Sequence, residues 1–188
     1  METNQLIHLN DFKEALQATA NEIKAAFPDF ILDYRGLEPI HEPFKKYDCT
    51  PVNTTVFATT GGDGVHYSIL EISDLIQPVV MTVPMNAGDS FKASNRILGA
   101  NLNEFLSLGY YNGWFPLEQL CYDPAWALDF YSKENLDADY QTGVGIQLVK
   151  KLRTKLGFES IPLNMKRLKE LEDLYFDGLL FGPDAHRQ

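Results

Sequence analysis

Residues 54–83 read TTVFATTGGDGVHYSILEISDLIQPVVMTV, and this stretch decides the fold. Branched and aromatic residues, Thr54 to Phe57 before and Val65 to Leu70 after, flank the cluster Gly61-Gly62-Asp63-Gly64. Such residues favour extended backbone, and glycine supplies the positive φ of a tight turn, so a hairpin is predicted. Val79 to Val83, bounded by Pro78 and Pro84, reads as a third strand. A parallel pair would need a crossover of about a dozen residues or more, and the connections here are shorter, so the sheet is expected to be antiparallel.

Upstream, Phe12, Leu16, Ile23 and Phe27 recur at helical spacing over 10–27, with Asn10 as the expected N-cap and Pro28 past the end. Residues 29–51 mix Gly36, Pro39, Pro43 and Pro51 with charges and rings and are expected to form an irregular connection. Downstream, Ile97-Leu98-Gly99 fits a short edge strand, and Asn101 with Glu104 three residues later forms a capping box for a helix that Gly109 ends. Pro116 and Pro124 suit the first turns of two further helices. Two more helices are expected over 137–156, with Gly157 as C-cap, and over 164–176.

The expected architecture is therefore α+β: an antiparallel sheet flanked by helices, with a helical C-terminal extension. One domain of 188 residues is expected, with a core over 9–132, an extension over 137–176 and a loose tail over 182–188. Sixteen basic and twenty-six acidic residues leave a formal charge of -10, which argues against holding nucleic acid or an anionic membrane by bulk electrostatics. The whole excess falls in residues 1–136, which carry eight basic and eighteen acidic side chains, whereas 137–188 carry eight of each. A basic protein partner is therefore expected to dock on the first 136 residues. No apolar run approaches the ~20 residues of a membrane span, and Met1 to His8 lack the apolar stretch of a signal peptide, so a cytoplasmic protein is expected. Cys49 and Cys121, without CxxC spacing, are read as reduced thiols.

Three groups of residues could carry function. The first is the turn Gly61, Gly62, Asp63, Gly64 with His66. It lacks the lysine and hydroxyl of a phosphate loop, and it would become a ligand or hydrolase site only if Asp63 and His66 met a third polar group. The second is the ring-rich run Tyr110, Tyr111, Trp114, whose large amphipathic side chains suit anchors for a partner or for self-association, or plugs for the core. The third is Lys150, Lys151, Arg153 and Lys155, best read as cations complementing a helix C-terminus. His8, His41, His66 and His186 show no metal-ligand spacing, so no metal and no cofactor are expected.

The order of three segments, VFATTGGDGVHYSILEI (56–72), PVVMTVPM (78–85) and NLNEFLSLG (101–109), resembles the SUKH superfamily of Smi/Knr-type domains over Leu9 to Ser132. The matching residues are Gly61, Gly62, Asp63 and Gly64 in the turn, and Asn101, Glu104, Phe105 and Leu106 in the helix. The resemblance implies an α+β binding module without enzymatic activity. In bacteria many such proteins look like immunity proteins that bind and neutralise a toxin, often a nuclease. The competing expectations are a small hydrolase or ligand-binding protein using the Gly61–His66 turn, and a self-associating scaffold.

Overall fold

A computed structural model describes residues 6–29, 36–40, 44–73, 76–86, 90–132 and 143–182. Five strands form one antiparallel meander in sequence order: β1 (Glu38–Pro39), β2 (Thr54–Thr59), β3 (His66–Leu70), β4 (Val79–Thr82) and β5 (Asn95–Gly99). The glycine turn closes the β2–β3 hairpin as expected, pairing Thr59 with His66 and Thr54 with Leu70. Gly61, Asp63 and Gly64 take φ of 85°, 49° and 71°, a backbone that explains the glycines. A bulge between Val56 and Ala58 interrupts β2, and Phe57 and Ala58 both join the main core.

Among the described residues the α-helices are α1 (Leu9–Ala26), α2 (Leu102–Leu108), α3 (Gln119–Tyr122), α4 (Pro124–Ser132), α5 (Val144–Leu156) and α6 (Met165–Tyr175). The N-cap of α2 forms as expected, with Asn101 Oδ1 accepting from Glu104 N at 3.0 Å, while Glu104 Oε2 accepts from Ala100 N at 2.7 Å, one residue ahead of the amide that a capping box would use. Elsewhere the boundaries move. His8 rather than Asn10 holds the N-cap position of α1, with no side-chain bond. Pro116 lies in a 3-10 turn, Phe115–Glu118, ahead of α3. Residues 137–142 of the helix expected over 137–156, and the tail after Gly182, lie outside the described residues.

Strand β3 is buried at every position because both faces of the sheet are covered. Tyr67, Ile69, Val79, Met81 and Leu98 pack on one face with Phe12 and Leu16 of α1 and Phe105 of α2. On the other, Leu70, Val80 and Ile97 meet Leu171 of α6 and Leu179 beyond it. The C-terminal helices are thus part of the core: α5 packs on α1 and α6 on β5. Ion pairs help to fasten them. Glu22 of α1 receives Lys151 at 2.6 Å and Lys155 at 2.9 Å, and Glu104 of α2 receives Arg167 at 2.6 Å. The hydrogen bonds and charges of Lys151 and Lys155 hold the Glu22 carboxyl down to about 2. Much of the basic cluster read from the sequence is spent in this way, on fastening helices.

Candidate functional site

His66 begins β3 and is completely buried. Its Nδ1 lies 2.7 Å from the Gly64 carbonyl, so that nitrogen carries the proton and donates. Nε2, 3.1 Å away, then accepts from the Thr50 hydroxyl. The rings of Phe44 and Tyr47 flank the imidazole with centroids at 4.9 and 6.0 Å. Burial pulls the His66 pKa down to about 4, with the Lys46 charge adding to the effect and the bond to Gly64 opposing it. Asp63 is exposed and is not among the partners of His66. The Asp63–His66 pair that a hydrolytic turn requires is not formed, because the turn folds the histidine inward and leaves the aspartate outside.

His66 therefore couples stability to pH. An unfolded chain takes up this proton near pH 6.5, whereas the folded chain resists until about 4. In that window the unfolded state binds more protons, so the contribution is full above about 6.5 and is lost as pH falls towards about 4. At about 1.4 kcal/mol per pH unit, the loss reaches about 3 kcal/mol. Urea unfolding between pH 7 and 4.5 is expected to show this slope in the wild type and not in His66→Gln. Equal slopes would remove the assignment.

The ring-rich run divides. Trp114 is fully buried, with Nε1 donating to the Phe105 carbonyl at 3.2 Å and its own carbonyl accepting from Tyr67 Oη at 2.9 Å. It is a core residue and not a surface anchor, which corrects the reading of Trp114 both as a partner contact and as a self-association contact. Tyr110 and Tyr111 are half-buried and edge-to-face at 4.7 Å. They border a cavity of about 190 Å3 with Ile146, Val149, Lys150 and Arg153. Arg153 donates to Tyr110 Oη at 2.5 Å and grips Glu159 through two 2.7 Å bonds. These tyrosines are thus set among cations, an unfavourable place for a basic partner.

Acidic and aromatic groups meet elsewhere, beside the glycine turn. Phe115 is 40% exposed and Tyr122 47% exposed. Phe115 is seated between two glycines: a Cβ on Gly36 would lie 2.2 Å from the Phe115 amide nitrogen, and one on Gly62 would lie 3.8 Å from its ring. Leu117 and Leu120 turn inward, leaving Glu118 and Tyr122, four apart, on the opposite side. Burial, then the charge of Asp63, raises the Glu118 carboxyl, against a hydrogen bond from Gln119. Tyr122 is raised by burial and by Glu118 and Asp63 among its neighbours. Asp63 and Glu118 therefore repel one another, and no ion pair neutralises either among the described residues. The spacing of Glu118 and Tyr122 against Leu117 and Leu120 was the sequence signal for this surface.

Cys49 is a buried thiol, and burial pushes the Cys121 thiol up to about 11, so neither is poised as a nucleophile. Among the described residues no group of three or more His, Cys, Asp or Glu side chains could hold a metal ion, and no helix is long and apolar enough to cross a membrane. In comparisons with known proteins, no family model, curated protein or solved structure matches this chain.

Proposed function

We propose that this chain is a non-enzymatic binding module that takes a basic protein partner on the surface made by Asp63, Glu118, Phe115 and Tyr122. The observation that carries this reading is the pair of mutually repelling carboxylates, uncompensated among the described residues, beside two half-exposed rings. A docking lysine or arginine would relieve the repulsion, and the rings would supply contact area of the kind that dominates interfaces. The acid excess of residues 1–136 supports it by steering basic partners to this part of the chain. The resemblance of the turn and of α2 to SUKH domains sharpens the reading to an immunity protein, working in the cytoplasm, that neutralises a basic nuclease-type toxin.

Affinity capture with the tagged protein from its native cells, at low salt and followed by a salt gradient, tests this. A basic protein should be retained and then released as salt rises, because exposed charge pairs are screened. Retention of acidic proteins alone, or retention that ignores salt, would overturn the reading.

A further inference from the structure

A second feature has the opposite sign. Beside the edge strand β5, a cavity of about 420 Å3 opens between that strand, Leu120 of α3 and the start of α6. Its apolar wall is Ile97, Leu120, Met165 and Leu168, drawn from both core clusters apart from the half-open Met165. Three cations, Lys92, Arg96 and Lys169, line it against one carboxylate, Glu172. This local inversion of charge occurs in a chain with a formal charge of -10.

The cations are not equally engaged. Lys169 is paired with Asp173. Arg96 is oriented by its own backbone, with Nη1 donating to the carbonyls of Lys92 at 3.3 Å and Asn95 at 3.0 Å. Its Nε stands 3.8 Å from Glu172 Oε1, an ion pair without a hydrogen bond, and its Nη2 has no hydrogen-bond partner among the described residues. Lys92 is exposed, and its ammonium lies 5.2 Å from the centre of the Phe176 ring with no carboxylate against it among the described residues. A guanidinium held by backbone carbonyls and a lysine with no carboxylate partner among the described residues thus border an apolar pocket whose volume falls within the range of about 300–1,000 Å3 for small-molecule sites.

We propose that this cavity binds a small amphipathic anion, a compact aromatic or branched body carrying one acidic group. The body packs on Ile97, Leu120, Leu168 and Met165, and the acidic group lies between Arg96 Nη2 and Lys92 Nζ. The pocket's size and its grouping of Arg96 and Lys92 at one edge favour a small molecule over an acidic peptide. The site adjoins the acidic surface across α3 but shares none of its residues Asp63, Phe115, Glu118 and Tyr122.

The probe is 1-anilinonaphthalene-8-sulfonate, titrated into the full chain carrying 13C-methyl methionine and followed by NMR. Met165 lines the cavity, whereas Met81 is sealed in the main core and Met85, 74% exposed, is not part of the lining. A saturable shift of the Met165 methyl is expected, with Met81 and Met85 unmoved. N-phenyl-1-naphthylamine, the same rings without the sulfonate, should bind about tenfold or more weakly, as should the sulfonate to Arg96→Gln and to Lys92→Gln. Lys92→Gln changes an exposed side chain and keeps the test valid if Arg96→Gln fails to fold. A still Met165 methyl, equal affinity for the neutral rings, unchanged affinity in Lys92→Gln, or a shift produced only by an acidic peptide would each overturn the proposal.

Discussion

Replacing Trp114 with alanine should lower the unfolding free energy by about 3–5 kcal/mol, a large fraction of the roughly 5–15 kcal/mol that holds a domain of this size together. The indole is fully buried, with its ring centroid 6.2 Å from that of Phe105, and alanine would leave the Phe105 carbonyl without its side-chain donor. The hole could not close easily, because the surrounding groups are themselves fixed. The Tyr67 hydroxyl is bonded to the Trp114 carbonyl, and Gly109 passes so close that a Cβ there would lie 2.2 Å from the indole Cε2. Trp126 provides the comparison: 45% exposed and stacked on Phe130 at 4.8 Å, it should cost under about 1 kcal/mol when cut to alanine. Urea midpoints followed by far-ultraviolet circular dichroism would separate the two, and equal losses would contradict the placement of Trp114 in the core.

The second large effect concerns binding. Asp63→Lys combined with Glu118→Lys should weaken capture of the basic partner by about 100-fold or more, because like charges set against each other at an interface cost several kcal/mol. Phe115→Ala and Tyr122→Ala should each cost about tenfold if these rings act as anchors. Lys150→Glu, at the tyrosine pocket, serves as a control and should leave affinity nearly unchanged. Calorimetric titration with the captured partner reads all four. Loss of affinity in the Lys150 variant with none in the double reversal would move the interface to the tyrosine side. Because the Glu118 carboxyl is raised, its charge is lost at a higher pH than that of an ordinary glutamate, so affinity should begin to fall early on acidification.

The sheet was legible because its signals are local. Three residues of the glycine turn require positive φ, Pro78 and Pro84 bound β4, and Asn101 with Glu104 start α2 within four residues. What escaped depended on which surface covers which. His66 and Ser68 look like the wet positions of an alternating strand, yet both are buried, His66 beneath Phe44, Tyr47 and Thr50 of the irregular segment ahead of β2. Trp114 and Phe115 are neighbours with opposite fates, decided by the clearance at Gly109 for one and the seat between Gly36 and Gly62 for the other. The two-residue strand Glu38–Pro39 is too short for any periodicity to reveal. The site shows the same division: the acid excess is visible in composition, but the meeting of Asp63 with Glu118 and Tyr122 is tertiary.

The most direct measurement is site-specific photo-crosslinking of the captured complex, with a benzophenone side chain placed in turn at positions 122, 111 and 161, the last being Ile161, 44% exposed between α5 and α6. The binding surface proposed here predicts a crosslink to a basic protein from position 122, abolished by Asp63→Lys with Glu118→Lys, and none from 161. Crosslinks from position 111 with none from 122 would contradict it.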